Sequence, residues 1–149
     1  MNRVSPALNS PGEQGLNSLT LVNHWMSDLR AMPYRYSKKW RTPAEVRSTH
    51  VADCKGKAVA LYQLMRVNGA RNVRLIIGKH RSDDLKTHAW VEWETQYGVY
   101  LLDPTFNWTA IRPEERDPGM YIPFYAYDGL HKYCSNYYRP FYPAAVAQY

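Results

Sequence analysis

Cysteine is scarce in this chain: Cys54 and Cys134 are the only two among 149 residues. That is too few for a disulfide framework, and one bridge is the most an oxidising compartment would allow. Long apolar runs are absent. No stretch approaches the roughly 18 apolar residues of a transmembrane helix, so no membrane insertion is expected. The opening residues, MNRVSPALNSPGEQG, lack the apolar core of a signal peptide. The chain as written is therefore expected in the cytoplasm, or in the periplasm or outside the cell if a leader has been removed. Runs of like charge are absent as well. The net charge is +6, but the positives are scattered: Arg35, Lys38, Lys39, Arg41, Lys55, Lys57, Arg71 and Arg74. A basic surface favours acidic partners, yet no nucleic-acid motif accompanies the charge, and no nucleic-acid partner is expected. Close ligand pairs such as CxxC or HxxxH are missing, so neither a metal nor another cofactor is expected.

What is present fits one soluble domain. Apolar residues make up 45% and charged residues 21%, a globular balance that can bury a core at this length. Residues 1–15 are rich in Ser, Pro, Gly and Asn and read as a loose tail, with a single domain over 16–149. Leu19, Val22, Trp25, Met26 and Leu29 recur at helical spacing up to Pro33. Thr42-Pro43-Ala44-Glu45 predicts a short helical turn, with Thr42 as N-cap and Pro43 at N1. A second long helix opens after Asp53, its N-cap, and stops at Gly69. Strands are predicted over 72–80, 87–95, 99–106 and 121–129, joined by polar loops or turns. The Tyr- and Pro-rich stretch after Leu130 gives no clear pattern. Helices followed by consecutive strands imply an α+β fold, an antiparallel sheet with the helices packed on one side.

Three residues in this frame can carry chemistry. If strands 87–95 and 99–106 form a hairpin with an even loop, His88 faces residue 103, 105 or 107. In each register His88 and Asp103 share a face, because side chains alternate with period two. Cys54 opens the second long helix, where the positive end of the helix dipole favours a thiolate. His88 beside that sulfur would act as base, and Asp103 would orient the imidazole, the logic of a Cys-His-Asp triad. The backbone N–H of Cys54 is an orphan donor for an oxyanion. Cys54 read alone is equally a small buried hydrophobe, and zinc also accepts Cys, His and Asp ligands. Trp40 is a candidate oxyanion donor or a packing ring. Trp90, two residues after His88 on the same strand face, is a candidate wall of the cleft. His24, His50, His80 and His131 have no partner legible in the sequence, and Cys134 reads as an inert thiol.

The stretches ADCKGKAVALYQLMRVNG, THAWVEW and YLLDPTF resemble, in that order, the transglutaminase-like superfamily of papain-type cysteine enzymes. KKWRTPAEVRSTHVADCKGKA brings the resemblance closest to the bacterial transglutaminase-like cysteine proteinases. It covers roughly residues 35–130. It implies a papain-like fold with Cys54 as nucleophile, His88 as general base and acid, and Asp103 as orienter. It also implies acyl chemistry on a peptide or isopeptide amide of a protein or peptide substrate, through a thioester. Some bacterial relatives bind calcium through acidic residues just after the cysteine; Lys55, Gly56 and Lys57 stand there in this chain. The alternatives are acyl transfer to an amine, as in a transglutaminase, and a catalytically silent module that binds a partner through an aromatic groove. Oligomeric state is open.

Overall fold

The computed structural model describes residues 13–134 and 142–143, with side chains from Leu19 to Cys134. The first helix, α1 (Glu13–Ala31), begins before the boundary expected at residue 16 and buries Val22, Met26 and Leu29, one helical face. The remainder of the expected tail, and most of the stretch after Leu130, lie outside the described residues. Helix α2 (Pro43–Thr49) starts as its sequence dictates: Thr42 and Glu45 form a reciprocal capping box, with Pro43 in the first turn. Helix α3 (Cys54–Val67) is capped by Asp53, whose Oδ1 accepts from the Gly56 N–H at 3.1 Å. It ends at Asn68, followed by Gly69 at φ 90°.

Among the described residues six antiparallel strands follow: β1 (Val73–Arg81), β2 (His88–Thr95), β3 (Gly98–Leu102), β4 (Met120–Asp128), β5 (His131–Cys134) and β6 (Tyr142–Pro143). Their order across the sheet is β3-β2-β1-β4-β5-β6. The α+β architecture expected from the element order is the one observed. The third expected strand is shorter than its apolar pattern suggests, because Asp103-Pro104 turns the chain after Leu102. The short strands β5 and β6 carry no pattern that separates them from loop.

One face of the sheet, with Ala89, Val91, Trp93, Val73 and Leu102, packs against Leu61, Met65 and Ala58 of α3 and against α1. The other face holds Ile76, Trp90, Leu101, Tyr121 and Ala126. The loop after β3 returns along the free edge of that strand, where Ile111 pairs with Leu101 outside the named strands and packs against this cluster. Lys57 is the exception on α3's buried face. Its Nζ donates to the carbonyl of Met32 at 2.7 Å and to that of Arg30 at 3.4 Å, tying α3 to the end of α1.

The register of β1 against β4 slips by one residue between Ile77 and Gly78. This bulge aims the ends of both strands, including His80 and Tyr121, toward the start of β2. It requires a bare Cα at residue 78: a Cβ there would lie 2.0 Å from the Ile122 carbonyl oxygen. Gly78→Ala is therefore expected to destabilise the domain by about 1–3 kcal/mol through forced backbone displacement. A urea unfolding midpoint equal to that of the wild type would show that the bulge is not so constrained.

Candidate active site

His88 is the first residue of β2, and Asp103 lies one residue beyond β3. Thr95 pairs with Gly98 across a tight turn, and Val91 pairs with Leu102. That register sets His88 opposite residue 105, one of the three expected, so Asp103 meets His88 on the diagonal. His88 Nε2 lies 2.8 Å from Asp103 Oδ2. The carboxylate has no exposed surface, and His88 is 7% exposed.

Asp103 is held by more than the imidazole. Its Oδ1 accepts from the Thr105 N–H at 3.0 Å, and its Oδ2 also accepts from the Tyr121 hydroxyl at 2.7 Å. These donors come from the turn after β3 and from β4, so the carboxylate is bonded from several directions, as a buried charge requires.

Cys54, 8% exposed, is the first residue of α3, and its thiol interacts with the His88 ring. Nε2 is engaged by Asp103, which leaves Nδ1 as the nitrogen for sulfur. Burial by itself would lower the imidazole's pKa. The hydrogen bonds to Asp103 and Cys54, reinforced by their charges, outweigh it and raise His88 to about 9. The structure thus brings Cys54, His88 and Asp103 together.

The chain before α2 supports this corner. Tyr34 pairs in parallel with Ala52, the Arg35 N–H donates to the Ala52 carbonyl at 3.1 Å, and Ser37 N–H donates to Asp53 Oδ2 at 3.0 Å. The Lys55 ammonium reaches the same Asp53 oxygen. Burial opposes ionisation of Asp53, but the bonds from Lys55, Gly56 and Ser37 prevail and hold its carboxyl below the usual range. Asp53 is thus a structural cap. Among the described residues no group of three or more His, Cys, Asp and Glu is placed to hold a metal ion.

Trp90 is fully buried beneath the site, its ring 6.0 Å from that of His88 and inclined by 25°. Trp40 is 45% exposed, whereas the Tyr34 hydroxyl interacts with the backbone and thiol of Cys54. Burial, then the charges of Cys54 and Asp53, raise the pKa of the Tyr34 phenol. His80, without a partner in the sequence reading, stacks on Phe106 at 4.0 Å and meets His88 edge-on at 5.4 Å. Its imidazole is pushed down by burial and then by the charge of His88. No motif in the sequence marks Tyr34, His80, Phe106 or Tyr121 as part of this site. The only signal for His80 and Tyr121 is that both fall near strand ends, at the end of the sheet where β2 starts with His88. Cys54 and Cys134 are both free thiols.

No protein-family model and no curated protein matches the chain. Solved structures do. The calcium-bound form of LapG from Legionella pneumophila superposes with a TM-score of 0.67 at 14% identity, over 89% of this chain and 74% of that one. The EGTA-treated form gives 0.71 at 13% identity, over 95% and 77%. This likeness is one of fold, and it agrees with the transglutaminase-like, papain-like fold that the motifs imply.

The raised pKa of His88 has a consequence for stability. A folded-state value of about 9 against an ordinary 6.5 stabilises the fold fully below about pH 6.5. That contribution is lost as pH rises through 9. Wild type is expected to lose urea resistance between pH 6.5 and 9.5, and His88→Gln to lose distinctly less. Parallel pH–stability curves would show that the imidazole is not held charged by Asp103 and Cys54.

Proposed function

We propose that the chain is a cysteine hydrolase acting on peptide or isopeptide amides through a thioester. The observation that supports this most is the single imidazole bonded to a buried carboxylate at 2.8 Å while it interacts with a thiol at a helix N-terminus. In this reading His88 takes the Cys54 proton, and the sulfur attacks the amide carbon. The backbone N–H of Cys54, which meets the Tyr34 hydroxyl in the resting site, is the donor this reading assigns to the developing oxyanion. Collapse breaks the C–N bond, and His88 returns its proton to the leaving amine. Water then attacks the thioester and gives a proton to His88. The C–S bond breaks, the carboxylic acid leaves, and the proton returns to sulfur. Asp103 fixes the ring and balances its charge throughout. An amine replacing water in the second half would make the same site an acyl transferase.

The rim beside the thiol indicates the polarity of the substrate. Residues 30–41, RAMPYRYSKKWR, hold five cations and no acid. Tyr34, Tyr36 and Trp40 are exposed along it. The ammonium groups of Lys55 and Lys86 flank the Tyr36 ring at 4.9 and 5.0 Å. This strip favours an extended peptide carrying carboxylates next to the scissile bond.

Iodoacetamide should label Cys54 rapidly well below pH 8.5, the approximate pKa of a free thiol, and His88→Ala should abolish that advantage. Slow labelling that follows an ordinary thiol titration in both proteins would favour a silent binding module. The charge of the rim is tested separately with anionic iodoacetate. Reversing Lys38 and Lys39 to Glu should lower the iodoacetate rate several-fold at low salt and leave the iodoacetamide rate unchanged, with the difference fading at high salt. An unchanged ratio of the two rates would remove the rim from substrate selection without touching the thiol chemistry.

A further inference from the structure

Tyr121 occupies a position that packing alone does not explain. Its φ is 56°, a left-handed conformation that a bulky side chain adopts at a cost of roughly 1–3 kcal/mol. Gly119, two residues earlier and immediately before β4, is also left-handed, at φ 80°. The ring is 4% exposed, wedged edge-on between Trp90 at 5.2 Å and His80 at 4.9 Å. The outcome of the strained backbone is a hydroxyl delivered to Asp103 Oδ2, the oxygen that also meets His88.

The direction of the hydroxyl's proton is set by a second contact. Asn107 Nδ2 lies 3.0 Å from the Tyr121 oxygen and can only donate. The phenol must therefore accept from Asn107 and donate to Asp103. Asn107 is fixed in turn, its N–H donating to the Asp103 carbonyl at 2.8 Å. Burial, followed by the charge of Asp103 and its hydrogen bond, raises the phenol's pKa far above the ordinary value, so it stays a donor across the working range.

We infer that Tyr121, oriented by Asn107, is a positioning residue that shares the charge of Asp103 with His88 and so sets how firmly the imidazolium is held. A carboxylate oxygen that accepts from two donors binds each less strongly than it would bind one. With Tyr121 in place, the imidazolium gives up its proton more readily than Asp103 alone would allow. This inference rests on the triad reading above. The titratable groups facing His88 are Asp103 after β3, Cys54 on α3 and His80 on β1. Tyr121, from β4, joins them through the shared carboxylate and meets the His80 ring.

The test is Tyr121→Phe, which keeps the ring and removes the donor. Rates of Cys54 alkylation by iodoacetamide are measured from pH 5 to 11, with His80→Gln as a control for the neighbouring imidazole. The alkaline transition of the wild-type profile, assigned by its loss in His88→Ala, should move upward by about 0.5–1 pH unit in Tyr121→Phe. Asn107→Leu, which frees the phenol to turn away, should shift it the same way by less. His80→Gln should not reproduce the pattern. If Tyr121 serves packing only, Tyr121→Phe leaves the transition where it was, and a downward shift equally overturns the inference. A wild-type profile with no transition that depends on His88 would mean the triad reading itself had failed, an outcome distinct from either.

Discussion

A fully buried carboxylate is the constraint around which this end of the molecule is organised. Asp103 has no contact with solvent, so every hydrogen bond it would make to water must come from the protein. Those donors belong to β2, to the turn after β3 and to β4, which are neighbours only once the sheet has formed. The Gly78 bulge, the tight β2–β3 turn and the left-handed Tyr121 all act on the placement of these donors. Secondary structure creates the sheet, but the carboxylate fixes how its end is finished.

A second node does the same for the sulfur. Asp53 binds the first turn of α3, the backbone of Ser37 and the Lys55 ammonium, so the chain before α2 is fastened against the helix that carries Cys54. Lys57 fastens α1 to the same helix from within the core. Burying this amine opposes its charge, and its pKa falls through burial and then the nearby Arg30. The carbonyls at the end of α1 are its compensation. The two nodes are independent in sequence and meet in space at the imidazole.

These facts explain what could be read from the residues and what could not. Asp53 as cap, the Thr42–Glu45 box and the apolar faces of α1 and α3 are local, and each follows from a pattern within a few residues. The diagonal contact of His88 with Asp103 is longer in range, yet the period-two rule and a tight hairpin confine it to a few registers. Tyr121 depends on a bulge in β4, its own strand, against β1 and on a positive φ at a non-glycine residue, and neither leaves a mark in composition. His80 looked partnerless because its partners, Phe106 and His88, arrive from separate loops and strands. Lys57 appeared as one surface positive among several, although it falls on the same helical face as Leu61 and Met65; a cation on an apolar face was the available sign that it caps something buried.

Electrostatics around the sulfur follows from the same arrangement. Asp53 and Asp103 are both buried, and each is matched within hydrogen-bond reach, the first by Lys55 and backbone N–H groups, the second by His88, Tyr121 and a backbone N–H. The charge of each is thus compensated from within the fold. The exposed cations Arg35, Lys38 and Lys39 are offset by no acid within residues 30–41. The field at the mouth of the site is therefore set by the rim, while the field at the imidazole is set by Asp103 and whatever shares its charge. In the proposed hydrolase, separate groups would govern the approach of substrate and the proton on His88, so a change in one need not disturb the other.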